Sequence, residues 1–103
     1  MSYKLQFKQE FMEEFKKEFL ELEKEFVKLE RENDDFPKGK RNIPFCGVDC
    51  TNVLIWECEF DSMKELVSAM NLLKQSAEHE KLFELQKKYI VKVYTSIYES
   101  FGD

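Results

Sequence analysis

Residues 44–60, PFCGVDCTNVLIWECEF, contain all three cysteines and the only tryptophan of the 103-residue chain. Thiols at this density raise the question of a zinc or redox site. Cys46 and Cys50 are separated by three residues across a predicted turn. Cys58 lies eight residues further along a predicted strand, roughly 26 Å away at about 3.3 Å per residue. Zinc ligands all lie within about 2.3 Å of one ion, so we predict no metal site.

A redox role is not indicated for these thiols either. Their spacing is not the C-x-x-C of disulfide oxidoreductases, and no helix follows Cys50 to lower a thiol pKa. Cysteine behaves mostly as a small hydrophobic residue. We therefore expect all three to be buried or half-exposed, unreactive thiols.

Two carboxylates and one histidine are the other candidates for chemistry. Glu57 and Glu59 share one face of a predicted strand and could form an acid–base pair. In a ferredoxin-like strand order this strand lies beside the first one, whose polar face carries Lys4 and Lys8. Pairing of the two glutamates with these lysines, as a cross-strand ladder of charges, is therefore favoured. His79, the only histidine, falls in the first turn of a predicted helical segment, where a surface position is favoured over a general base.

The charge balance narrows the classes of partner. The chain has 16 basic and 21 acidic residues, mixed along its length, for a net charge of -5. Nucleic acid is therefore not an expected partner. No apolar run approaches the roughly 18 residues of a membrane span, and the N-terminus lacks the apolar segment of a signal peptide. We predict a cytoplasmic protein without a membrane partner.

The elements that must position these residues begin with a strand. Residues 3–8, YKLQFK, alternate apolar and polar side chains. The period then changes to that of a helix ending near Asn33. Its apolar stripe is Phe11, Phe15, Phe19, Leu22, Phe26 and Leu29. A single long helix that starts near Leu5 is the alternative, because Phe7 is also in register with Phe11.

The second half of the chain predicts a hairpin, a broken helix and a strand. Residues 43–46 and 52–60 are expected to pair as strands across a turn at Gly47 and Asp49. Helical segments then span about 62–89, and strand 91–99 ends the fold. Ser62-x-x-Glu65 is a capping box, and Ser76 is a second cap. The helical stripes are Met63, Leu66, Met70 and Leu73, followed by Leu82, Leu85 and Tyr89.

This order, β-α-β-β-α-β, predicts an α+β, ferredoxin-like fold with a four-stranded antiparallel sheet, as one domain over residues 1–103. Asn52, Trp56 and their neighbours on alternate positions of the third strand would face the helices. Val53 and Ile55 would lie on the opposite face, exposed in a monomer. Such an apolar patch normally marks an interface, so we predict a homodimer.

The stretch NVLIWECEFDSMKELVSAMNLLKQSAEHEKLFELQKKYIVKVYTSIYES, residues 52–100, resembles the C-terminal half of dimeric α/β-barrel proteins. This superfamily holds the antibiotic-biosynthesis monooxygenases and the NIPSNAP-like and EthD-like proteins. There, too, a W-E-x-E-F strand leads into a helix, a short break, a further helical piece and a strand ending in I-Y-E. The preceding FPKGKRNIPFCG is similar to the loop and second strand of such proteins. The motifs are structural, and none is diagnostic of an activity.

The resemblance implies a homodimer in which two sheets face one another as a barrel with helices outside. In some members an Asn and a Trp line a pocket where an aromatic substrate reacts with oxygen without a cofactor, and Asn52 and Trp56 match that pattern loosely. Other members bind haem through a histidine, for which His79 is the only residue here that could serve. Our candidate pocket residues are thus Asn52, Trp56 and His79, and no cofactor is predicted.

Three functions follow from these observations. The preferred one is the binding of a small apolar or aromatic molecule between sheet and helices. The alternatives are a cofactor-independent monooxygenase of an aromatic or quinol-like substrate, and a purely structural homodimer whose interior is filled by the ten Phe side chains. An open pocket beside Trp56 would favour the first two.

Overall fold

The four strands form one sheet in the computed structural model, which describes residues 2–102. The strands are β1 (Tyr3–Phe11), β2 (Lys40–Asn42), β3 (Val53–Phe60) and β4 (Ile90–Glu99). The helices are α1 (Lys16–Glu32), α2 (Met63–Gln75) and α3 (Ala77–Gln86), with 3₁₀ segments at Glu13–Phe15 and Lys87–Tyr89. None of these helices is long and apolar enough to cross a membrane.

The sheet has the order β2-β3-β1-β4, and all neighbouring strands are antiparallel. At its centre Phe7 of β1 lies opposite Trp56 of β3 on one side and Thr95 of β4 on the other. Leu5 and Leu66 are fully buried where α2 packs on this face. The predicted α+β, ferredoxin-like fold is confirmed.

The first strand is longer than its sequence pattern predicts. β1 continues to Phe11, which is fully buried between the sheet and Phe19, with the two rings stacked at 4.6 Å. The alternative of one long helix from Leu5 is wrong, and so is the assignment of Phe11 to the helical stripe. Phe15 lies in the 3₁₀ segment and is partly exposed. Phe7, Phe11 and Phe15 are spaced four residues apart, which fits a strand as well as a helix. Four residues are two repeats of a strand, and they are also close to the roughly 3.6 residues of one helical turn.

The second strand lies elsewhere than predicted. β2 is Lys40–Asn42, and in its antiparallel pairing with β3 Arg41 lies opposite Trp56. Residues 43–46 belong to a loop. Pro44 within that segment has no N–H to donate to a ladder, and Gly47 has a φ of 128°, outside the strand region. Cys46 and Cys50 are exposed in this loop as free thiols, not buried or half-exposed, whereas Cys58 on β3 is half-buried. Burial raises the pKa of the Cys58 thiol.

The sheet face opposite the helices also differs in detail from expectation. Val53 is only 4% exposed, so the prediction that it forms an exposed patch is wrong. The loop after β2 approaches this face, where Asp49 pairs with Lys8 at 2.9 Å. Glu57 accepts a hydrogen bond of 2.8 Å from the amide of Gln6 rather than from a lysine.

The two predicted helix caps are confirmed. The Ser62 hydroxyl accepts from the Glu65 N–H at 3.1 Å, and the Ser76 hydroxyl accepts from the His79 N–H at 3.2 Å. Because the helix is interrupted at Ser76, the side of α3 that faces the core does not continue the buried stripe of α2. As a result Gln86 is fully buried, while Leu85, predicted to face inward, is exposed.

Candidate functional site

A cavity of about 190 Å³ lies between the sheet and the helices. Its wall is largely aromatic and aliphatic, with a polar cluster on one side. The apolar part of the lining includes Phe7, Phe26, Trp56, Phe83 and Val93, and the polar part includes Glu23, Glu30, Arg41, His79 and Gln86.

Trp56 forms one wall of this cavity. The indole is 7% exposed and stacks on Phe7, with ring centroids 5.3 Å apart and an interplanar angle of 22°. Its N–H donates to the Glu30 carboxylate at 3.4 Å, and the same oxygen accepts from the Gly39 N–H at 3.2 Å. A Cβ at Gly39 would lie 1.9 Å from the indole nitrogen, so only glycine allows the loop before β2 to close against the ring.

An ion-paired cluster forms the polar side. Arg41 of β2 donates to Glu23 of α1 at 2.5 Å and also pairs with Glu30, one heptad further along the same helix. Burial alone would lower the pKa of Arg41, but its hydrogen bonds and attraction to Glu30 and Glu23 raise it above the ordinary value. The guanidinium therefore stays charged and holds two carboxylates at the cavity wall.

Gln86 completes this cluster from α3. Its side-chain nitrogen donates to the Glu23 carboxylate at 2.8 Å and to the Phe19 carbonyl at 3.3 Å. Both partners are acceptors, so the amide is fixed with its nitrogen toward them. The Gln86 Oε1 atom is buried and has no hydrogen-bond partner among the described residues.

His79 lies in the first turn of α3 and lines the cavity, contrary to the preferred surface position. Its ring packs edge-on against Phe26, with centroids 5.0 Å apart and planes at 62°. Burial lowers the pKa of His79, although the charges of Glu30, Glu80 and Glu23 oppose that shift. The imidazole is therefore neutral at physiological pH.

Asn52 does not line the cavity. Its side-chain amide donates to the Phe11 carbonyl at 2.9 Å, and its own carbonyl accepts from the Phe11 N–H at 3.0 Å. Asn52 thus joins the end of β1 to the start of β3. Of the three candidate residues, the structure brings Trp56 and His79 to one cavity and places Asn52 elsewhere.

Sequence reasoning missed the polar cluster itself, Glu23, Glu30, Arg41 and Gln86. A signal was present for the two glutamates, because they lie four residues after Phe19 and Phe26 and so share the buried stripe of α1. An acidic residue in such a stripe normally needs a partner. That partner, Arg41, comes from another element, and nothing local identifies it.

The cavity does not fit haem, the cofactor that some proteins of the resembled superfamily bind through a histidine. Sites for drug-sized ligands are about 300–1,000 Å³, whereas this one is about 190 Å³. Glu23 and Glu30 would also repel the propionates of a haem. In residues 2–102 no group of three or more His, Cys, Asp or Glu side chains is arranged to hold a metal ion.

No protein-family model matches the sequence, and no curated protein matches it. Solved structures do share the fold. A NIPSNAP family protein from Agrobacterium tumefaciens has a TM-score of 0.81 at 10% identity, covering 98% of this chain and 94% of that one. A proposed antibiotic biosynthesis monooxygenase from Nitrosomonas europaea has a TM-score of 0.70 at 9% identity, covering 96% and 89%.

A dimeric protein of unknown function with a ferredoxin-like fold, from Bacteroides fragilis, has a TM-score of 0.68 at 14% identity and covers 96% of both chains. At these identities the likeness shows the fold alone. The chain shares its ferredoxin-like fold with these NIPSNAP, monooxygenase-like and dimeric proteins.

Proposed function

We propose that the protein binds a small aromatic or apolar molecule in the cavity between the sheet and the helices. The observation that carries this proposal is the cavity itself, about 190 Å³ bounded by Trp56, Phe7, Phe26 and Phe83. An apolar cavity of about 150 Å³ can hold benzene. The size therefore suits a molecule of about one substituted aromatic ring.

The cavity weighs against the purely structural alternative. If the Phe side chains filled the interior, no space of this size would remain beside Trp56, because protein interiors have few voids larger than water. The monooxygenase alternative relies on an Asn and a Trp at the same ligand, and only Trp56 lines the cavity. Binding is therefore the function that the geometry supports best.

Titration with toluene, followed by heteronuclear NMR, tests the proposal. We expect saturable shifts of the Trp56 indole N–H and of amides around the cavity. Val93→Phe should abolish these shifts by filling the space from the edge strand, since Val93 lines the cavity and is 42% exposed. Val91→Phe is the matched control, because Val91 lies on the same strand, is 57% exposed and does not line the cavity. If toluene causes no shifts, or if both variants respond like the wild type, the proposed site is wrong.

The protein is also proposed to act as a homodimer through the sheet face opposite the helices. Tyr94 and Tyr98 alternate with the helix-facing residues of β4 and are 42% and 50% exposed on that face. Exposed tyrosines of this kind are frequent in interfaces, where the ring is covered and the hydroxyl keeps a polar partner. The Bacteroides fragilis protein, which shares the fold, is dimeric, and this supports a dimeric state without indicating which face forms the interface.

A further inference from the structure

One residue that lines the cavity has a buried hydrogen-bond acceptor without a partner among the described residues. Gln86 lines the cavity and is fully buried, and its Oε1 atom has no partner among the described residues. Turning the amide over would place this oxygen against the Glu23 carboxylate and the Phe19 carbonyl, two acceptors that now receive its N–H groups. A buried acceptor without a donor is costly. Such an acceptor is normally satisfied by a buried water or by a donor group on a bound ligand.

The charge of the lining points to the kind of donor. Glu23 and Glu30 share the single guanidinium of Arg41, and Arg41 is the only lysine or arginine among the described lining residues. His79 adds no positive charge when neutral, since burial lowers its pKa. One negative charge in the half-buried wall is thus left without a counterion. Carboxylate oxygens can also accept more than one hydrogen bond each, so Glu23 keeps capacity beside Gln86.

The apolar walls suit the remainder of such a ligand. Trp56 and Phe7 stack on each other, and Phe26 and Phe83 also line the cavity. These rings can contact an aromatic ring, and their faces attract a cation. Gln86, Glu23 and these aromatic residues line the same cavity.

We infer that the ligand is an arylalkylamine, whose ammonium group, joined to an aromatic ring by a short alkyl link, donates to Gln86 Oε1 and the Glu23 carboxylate while its ring lies among Trp56, Phe7 and Phe26. This inference rests on the proposed function and adds the chemical class of the ligand. The net negative charge of the lining disfavours anionic aromatic molecules such as carboxylates.

Four probes of similar size test the inference by calorimetry or NMR titration of the wild-type protein. They are benzylamine, benzyl alcohol, toluene and benzoate. We expect benzylamine to bind at least about tenfold more tightly than benzyl alcohol, because a hydrogen bond to a charged group is stronger than a neutral one. Benzyl alcohol should bind a few-fold more tightly than toluene, and benzoate should bind most weakly.

Two variants assign the effect to named atoms. Glu23→Gln removes one negative charge with little change of shape and should reduce the preference for benzylamine over toluene by about tenfold. Gln86→Met keeps the volume but removes the acceptor, so benzyl alcohol should lose its advantage over toluene. Glu25→Gln is the matched control, because Glu25 is exposed on the same helix, and its preferences should equal those of the wild type.

The outcomes separate this inference from the proposed function. If toluene binds and benzylamine binds no more tightly, the cavity takes apolar rings and the amine assignment is wrong. If Glu25→Gln lowers the amine preference as much as Glu23→Gln does, the effect is one of net charge and the assignment is again wrong. If none of the probes binds, the proposed function fails as well. The wild-type series alone decides the question if either cavity variant does not fold.

Discussion

Arg41 is the residue on which the polar side of the cavity depends. It joins β2 to α1 by pairing with both Glu23 and Glu30, and its side chain is 16% exposed. Removing one partner of a buried ion pair leaves the other charge uncompensated, which typically costs about 3–5 kcal/mol. We expect Arg41→Met to lower the free energy of unfolding by about 3 kcal/mol in urea denaturation.

Arg31→Met is the control for this change, because Arg31 is the only other arginine and lies exposed near the end of α1. Its effect should stay within about 0.5 kcal/mol, as for most surface substitutions. If Arg41→Met lowered the free energy of unfolding no more than Arg31→Met does, the ion-paired cluster would contribute no stability.

His79 gives the fold a pH dependence near neutrality. Burial places the pKa of the folded protein below the ordinary value of 6.5, so the unfolded chain binds more protons between the two values. The free energy of unfolding should therefore be constant above 6.5 and decrease as the pH falls through it. His79→Gln should remove this slope, and because the chain has one histidine, no other imidazole obscures it. A wild-type stability that rises as the pH falls through this range would contradict the buried, neutral assignment.

Ser76 is where the two C-terminal helical segments are joined. Its N–H donates to the Leu72 carbonyl at 3.1 Å at the end of α2, and its hydroxyl caps α3 through the His79 N–H. Loss of such a cap costs about 1 kcal/mol. Ser76→Ala should lower the free energy of unfolding by about this amount in thermal or chemical denaturation.

Ser68→Ala provides the comparison within α2, because Ser68 is exposed in the interior of that helix. Alanine is a better helix former than serine there, so stability should stay the same or rise slightly. A loss of stability in Ser68→Ala comparable with that in Ser76→Ala would mean that the hydroxyl of Ser76 does not act as a cap.

The elements differ in how far their sequences predict them. β4 and both serine caps follow from local pattern, since alternation and cap chemistry act over a few residues. β2 has only three residues and no alternation of apolar and polar side chains. It is held in place by contacts from other elements, since Arg41 lies opposite Trp56 of β3 and its side chain forms an ion pair with Glu23 of α1. The polar lining of the cavity could not be predicted for the same reason. Each of its contacts joins residues from different elements, as when Gln86 of α3 meets Glu23 of α1.

The exposed tyrosines on the sheet face opposite the helices predict a homodimer. Sedimentation equilibrium should give twice the chain mass of 12.4 kDa. Tyr98→Glu should shift the protein toward the monomer, because it places a charge within the proposed interface. Val67→Glu is the control on the outer side of α2, where Val67 is 45% exposed, and should leave the dimer intact. A wild-type monomer at micromolar concentration would refute this assembly.

The cavity beside Trp56 is proposed to be a ligand site. The most direct test is the anomalous scattering of bromine in a crystal grown with bromobenzene, because the signal locates the ring without reference to any activity. We expect one dominant bromine peak within the cavity, between Trp56 and Phe26. Bromine peaks only on the outer surface, or the absence of any peak at saturating ligand, would contradict it.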